Sequence, residues 1–282
     1  MPRVDLPTGA SIYYEEHGSG YPVLLFAPGG MDSRIELWYS SPWNPIEALS
    51  GDFRVIAMDQ RNSRNSYAPI EVTSWATMAA DQLALMDALG IERAHVMGGC
   101  IGSSYCLRII HDAPRRITAA ILQNPIGLNG GNFDGFKGMF ESAARTAEKE
   151  GMQAVVDAAI EDNRFQQNTR AGYWSARISQ DELFRKEVLA MDPAEYARAH
   201  RETSAAFFEQ SDFVFSVTRE WLRTCPVPLL VLAGHDDFHP TPIAREIAEL
   251  APDAEYVEDW ATRDLVPQTI ETALAFLKRH TP

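Results

Sequence analysis

Cysteine is scarce in this sequence. The 282 residues include three, at positions 100, 106 and 225. An odd, sparse set gives no disulfide framework and fits a reducing compartment, so a cytoplasmic location is expected. Basic residues are outnumbered, 25 against 39 acidic ones, for a net charge of −14. That balance withholds the positive footprint that nucleic acid or an anionic membrane surface needs. No apolar run approaches the ~18 residues of a membrane-spanning helix. The opening Met-Pro-Arg-Val-Asp-Leu-Pro lacks the apolar segment of a signal peptide. There is no internal repeat and no low-complexity stretch, and no glycine-rich phosphate loop follows the first strand, so no cofactor is expected.

What is present is enough apolar sequence, 45% of residues, to bury a sizeable core. Residues 10–16 read as an early strand closed by His17-Gly18-Ser19-Gly20. Continuous apolar runs at 22–27, 53–58, 94–97, 117–122 and 227–233 have the pattern of strands buried on both faces of a parallel sheet. Amphipathic stretches at 75–89, 101–113, 243–250 and 266–279 lie between or after them. Alternation of this kind predicts a mostly parallel sheet with helices on both faces. The interval 129–222 breaks it, being helix-prone and nearly free of strand runs. It reads as an insertion between core segments 1–128 and 223–282. Ligands bind at the carboxyl ends of such strands, so an insertion there would act as a lid.

One short stretch carries chemistry. Gly98-Gly99-Cys100-Ile101-Gly102 is a G-x-C-x-G sequence after a buried run and before a helical one. It has the form of a nucleophile elbow with sulfur in place of the hydroxyl. Side chains at 98 and 102 would collide with the neighbouring strand and helix. Cys100 would project at a helix N-terminus, where unpaired N–H groups and the helix dipole favour a thiolate. Cys106 falls on a different helix face and reads as packed.

On these residues the chain resembles the α/β-hydrolase superfamily over nearly its whole length. The resemblance implies an α/β-hydrolase fold with an inserted helical lid. Phe26-Ala27-Pro28-Gly29-Gly30-Met31 stands where that family carries its oxyanion turn. The implied oxyanion donors are the N–H of Ile101 and that of Gly30 or Met31. Val55-Ile56-Ala57-Met58-Asp59-Gln60-Arg61 matches the family's fourth strand and Asp-x-Arg turn. There Arg61 and Arg64 read as partners of Asp59 rather than as substrate contacts. The acid loop is Gly234-His235-Asp236-Asp237-Phe238-His239-Pro240, one residue short of the family pattern. Counting from Gly234 selects Asp237, and counting back from Pro240 selects Asp236. Asp236 is preferred, because Pro240 fixes the register of the next helix.

The family's general base, a histidine about seven residues before a proline, is missing. Counting back from Pro267 reaches Trp260, and no histidine lies between His239 and His280. Three readings stay open. His239 supplies the imidazole from the acid loop, with His235 and His200 as weaker candidates. Alternatively, the thiolate works without a dedicated base, since a thiol of pKa ~8.5 is already partly ionised at neutral pH. Or turnover is lost and the fold binds a ligand. The dienelactone hydrolases, which this chain resembles in having a cysteine nucleophile, favour an active thiolate.

His235, Asp236, Asp237 and His239 are expected of an acid loop, and no metal is expected there. Candidate substrate contacts are Trp38, after the oxyanion turn, and Trp260. Some of the lid aromatics Phe136, Phe140, Phe165, Tyr173, Trp174, Phe207, Phe208, Phe213 and Phe215 should line the cavity, which predicts a small apolar or aromatic substrate. The expected activity is cysteine-dependent cleavage of an ester, thioester or lactone. A lyase using the same pocket is the alternative, and a degenerate binding protein the second. A homo-oligomer stays open.

Overall fold

The computed structural model describes residues 2–127, 132–164, 168–209 and 213–282. Eight strands form one sheet: β1 (Arg3–Asp5), β2 (Ser11–His17), β3 (Pro22–Phe26), β4 (Arg54–Met58), β5 (Ala94–Gly99), β6 (Ile117–Gln123), β7 (Leu229–Leu232) and β8 (Ala254–Val257). Their order is β1-β2-β4-β3-β5-β6-β7-β8. The β1–β2 and β2–β4 pairings are antiparallel, and every pairing from β4 to β8 is parallel. The reversal of strand order at β3, β4 and β5 opens a crevice at the strand carboxyl ends.

The continuous apolar runs are strands because both of their faces are covered. Leu24, Phe26, Ile56 and Met58 pack into one core. Their alternates Val23, Leu25, Val55 and Ala57 pack into the core on the opposite face. Helices α1 (Pro45–Leu49), α2 (Trp75–Ala88) and α3 (Ile101–Asp112) follow β3, β4 and β5 or the loops after them. Six more lie between β6 and β7: α4 (Asn132–Glu150), α5 (Met152–Glu161), α6 (Ser175–Gln180), α7 (Glu182–Ala190), α8 (Pro193–Phe208) and α9 (Arg219–Leu222). The last two are α10 (Thr241–Leu250) and α11 (Val266–Arg279). Residues of α2, α3 and α10 cover the first core and those of α1 and α11 the second.

Two strands were not anticipated from apolar runs. β1 has three residues, and β8 is a half-exposed edge reading Ala-Glu-Tyr-Val. Neither is buried on both faces, so neither needs an unbroken apolar stretch. The inserted helices join the first core through Phe140, Trp174, Tyr196 and Phe207, and the Trp75 indole of α2 donates to Phe207 O at 2.9 Å. The insertion is therefore anchored to the sheet layer. No helix among the described residues is long and apolar enough to cross a membrane.

Candidate active site

Cys100 sits between β5 and α3, with φ 56° and ψ −120°, as the residue before the first helical turn. A non-glycine residue held at positive φ costs about 1–3 kcal/mol and persists only where its surroundings impose it. Here the surroundings are the glycines on either side. A Cβ at Gly98 would lie 2.0 Å from Gly102 O, and a Cβ at Gly102 would lie 2.0 Å from Phe26 O. Only glycine lets strand, turn and helix approach this closely. The N–H groups of Ile101 and Gly102 open the helix beside the sulfur, free of intrahelical partners. Cys100 is half-buried, whereas Cys106 and Cys225 are buried, and all three are unpaired thiols.

His239 comes to this sulfur from the loop between β7 and α10. The loop folds back on itself, and Gly234 makes that possible: a Cβ there would lie 2.3 Å from His239 Cβ. Asp236 fixes the ring. Its carboxylate accepts the Phe238 and His239 backbone N–H groups at 2.9 and 2.8 Å. Both of its oxygens lie 2.9 Å from His239 Nδ1. Nε2 is buried and has no hydrogen bond of normal geometry. Burial alone would lower the His239 pKa, but interaction with the Cys100 thiol and then with Asp236 outweighs it and lifts it to about 9. Sulfur and ring are thus coupled electrostatically across the loop. The upward shift favours the protonated ring, whose positive charge would add to that of the helix N-terminus beside the sulfur.

A cavity of about 160 Å3 lies over the sulfur. Gly30, Met31, Cys100, Ile101 and His239 form one side, and Ile126 with six phenylalanines the rest. Of the aromatics expected to line it, Phe136, Phe140, Phe207, Phe208 and Phe215 do. Phe213, Tyr173 and Trp174 pack elsewhere, the last two around the His200 ring at 5.0 and 4.9 Å between centroids. Phe165 lies outside the described residues. Phe238 and Ile126 were not singled out from sequence; Phe238, next to the histidine in the acid loop, was the legible signal.

Several expectations are corrected. Trp38 and Trp260 do not line the cavity. Both are buried in the core on the α1–α11 side of the sheet. The Trp260 indole donates to Ala233 O at 2.5 Å, tying the loop after β8 to the end of β7. Arg61 does not pair with Asp59. It binds Asp81 of α2 at 2.7 Å and Glu71 at 2.9 Å, while Asp59 accepts from the Ile35 and Asn65 backbone N–H groups. Arg64 meets Glu36 at 3.2 Å.

The other histidines are occupied elsewhere. His200 is buried, with Nδ1 bonded to Tyr196 O at 3.0 Å and burial pressing its pKa down to about 3. His235 bonds Thr241 Oγ1 and Glu258 O at 3.1 and 2.8 Å. His95 lies between Thr118 and Thr281, at 2.8 and 3.0 Å. Asp237, like Asp236, is exposed. Among the described residues no group of three His, Cys, Asp or Glu is placed to hold a metal.

The family model described as alpha/beta hydrolase fold matches residues 22–259. The chain belongs to that family. Among its members, "Putative carbamate hydrolase RutD" of Azorhizobium caulinodans is 32% identical over 256 residues, 89% of this chain and 87% of that one. The 2-hydroxy-6-oxo-6-phenylhexa-2,4-dienoate hydrolase of Comamonas testosteroni is 26% identical over 171 residues, 58% of this chain and 59% of that one. Among solved structures, the enol-lactonase of Burkholderia xenovorans LB400 superposes with a TM-score of 0.64 at 23% identity, covering 98% of this chain and all of that one. At that identity the likeness speaks for the alpha/beta hydrolase fold alone.

Proposed function

We propose that this alpha/beta hydrolase cleaves a small apolar ester, thioester or lactone through a Cys100 thiolate, with His239 as its acid and base. The observation that carries the reading is the coupling of the His239 ring to Cys100 on one side and Asp236 on the other. A missing histidine after β8 is thereby replaced by one from the β7–α10 loop. The Cys100 sulfur attacks the carbonyl carbon. The N–H groups of Ile101 and of Gly30 or Met31 hold the oxyanion. The imidazolium gives its Nε2 proton to the leaving oxygen or sulfur, which departs neutral and leaves an acyl-Cys100. Water then attacks, His239 takes its proton, and collapse expels the acid and restores thiolate and imidazolium. Asp236 holds Nδ1–H throughout and keeps the ring oriented.

The helical insertion acts as a lid, because Phe136, Phe140, Phe207 and Phe208 close the cavity from its helices. Its apolar walls support a small neutral acyl group as the part of the substrate it takes: among the described residues no Arg or Lys lines it, and a charged group buried there would go unpaired at a cost of several kcal/mol. A thiolate nucleophile also requires reduced thiols, which goes with a reducing compartment such as the cytoplasm.

The test mixes the protein with p-nitrophenyl butyrate and follows nitrophenolate and intact mass. A burst and an acyl adduct are expected, both absent in Cys100→Ala. Turnover that survives Cys100→Ala would overturn the mechanism and point to a lyase-type reaction with no acyl-enzyme.

A further inference from the structure

The nucleophile helix and the oxyanion turn are joined by one buried hydroxyl. Tyr105 lies on α3, and its ring is fully buried against Trp75 and Phe26, at centroid distances of 5.5 and 6.3 Å. Its hydroxyl donates to Gly30 O at 3.3 Å. The next carbonyl, Met31 O, accepts from Ser63 Oγ at 3.1 Å. The carbonyl before it, Gly29 O, accepts from Asp32 N at 3.1 Å. Three successive carbonyls of the turn are therefore held, two of them by side chains from outside it. Gly30 itself stands at φ 64°, a conformation with little intrinsic restraint.

Gly30 C=O and Met31 N–H belong to the same peptide group. A trans peptide is planar, and its C=O and N–H point in opposite directions. Whatever fixes Gly30 O thus fixes the direction of Met31 N–H. A hydrogen bond to the carbonyl also polarises the group and makes its N–H a stronger donor. Gly30 and Met31 both border the cavity beside Cys100.

We infer that Tyr105 is a positioning residue: its hydroxyl clamps the Gly30–Met31 peptide so that Met31 N–H is the second oxyanion donor. This rests on the proposed acyl transfer at Cys100. It adds a residue that touches neither substrate nor sulfur. The arrangement also explains a tyrosine where phenylalanine would fill the same apolar space.

The variant is Tyr105→Phe, which keeps the ring and removes one oxygen. Two reactions of Cys100 are compared in each protein. Acylation by p-nitrophenyl butyrate passes through an oxyanion, and alkylation by iodoacetamide does not. The expected result is an acylation rate lowered ~10-fold, less than the ~100-fold or more for losing a donor outright. Alkylation and KM should change less than twofold. Equal acylation rates in the two proteins would overturn the role of Tyr105. Equal losses in both reactions would make it a packing residue only and overturn the role as well. If the wild-type protein forms no acyl adduct but is alkylated at Cys100, the proposed function fails instead. Should Tyr105→Phe not fold, a fluorinated tyrosine at position 105 keeps ring and hydroxyl and strengthens the donor. Acylation should then rise relative to alkylation, and an unchanged ratio would count against the clamp.

Discussion

His239 Nδ1 lies 2.9 Å from each carboxylate oxygen of Asp236, three residues earlier on the same loop. In the proposed mechanism base and orienting acid therefore come from one loop that closes with the Gly234 turn. The ring position depends on that loop holding its shape. His239→Ala removes the proton carrier, and the acylation rate should fall about 10²- to 10⁴-fold. Asp236 is well exposed, with 63% of its side chain accessible, so solvent screens its charge. Asp236→Asn should then cost only about 10- to 100-fold, and Asp237→Asn less than twofold. Single-turnover kinetics of all three variants with p-nitrophenyl butyrate check this. A larger loss for Asp237→Asn than for Asp236→Asn would reassign the acid.

The raised His239 pKa sets the pH behaviour. Its folded-state value is about 9, above the usual 6.5. The stability it contributes is fully present below pH 6.5 and is lost as pH rises through about 9. Thermal midpoints should therefore fall by a few degrees more between pH 7 and 9.5 in the wild-type protein than in His239→Asn. The same ring bears on reactivity. At pH 7 alkylation of Cys100 by iodoacetamide should be ~10-fold slower in His239→Asn than in the wild type. Equal rates in the two proteins would show that ring and sulfur are uncoupled.

Strands buried on both faces were legible because their sequences need no alternation, and the elbow was legible because its glycines are fixed by contact with Phe26 O and Gly102 O. Edge strand β8 was not, since half-exposed residues leave no apolar signature. The position of His239 was visible as a candidate only. Its approach to Cys100 depends on how the loop folds back over Gly234, a long-range fact that no local pattern encodes. Trp38 and Trp260 were misplaced for a related reason. Nearness in sequence to a site motif does not say which face of the sheet a side chain takes. Arg61 was assigned a neighbour two residues away, whereas its partner Asp81 arrives from α2.

Trp260, seven residues before Pro267, holds structure. It is 3% exposed and its indole bonds Ala233 O. Trp260→Phe should lower stability by about 1 kcal/mol, the worth of one hydrogen bond, with little effect on acylation. Trp260→His should cost more, about 3 kcal/mol, because it empties core volume. It should not rescue His239→Ala, since the ring at 260 faces the far core. Chemical denaturation and burst kinetics of the double variant check both statements. Rescue would mean that the loop after β8 still reaches the sulfur.

The cavity sets a size limit on the acyl group. Its volume is about 160 Å3, close to the cavity of about 150 Å3 that holds one benzene ring in an engineered protein core. Each methylene entering such walls is worth about 0.8 kcal/mol, roughly fourfold in kcat/KM. Across p-nitrophenyl esters, kcat/KM should rise from acetyl to about hexanoyl or benzoyl and fall sharply for decanoyl. Phe238 stands at the rim and is 49% exposed. The Asp236 carboxylate binds the Phe238 backbone N–H, which a change of side chain keeps. Phe238→Ala should therefore raise KM for the hexanoyl ester about fivefold, the loss of roughly 1 kcal/mol of apolar contact. It should leave kcat within twofold and widen the tolerance for decanoyl. A rate that is flat across the ester series, or fastest for acetyl, would show that the phenylalanine walls do not receive the acyl chain.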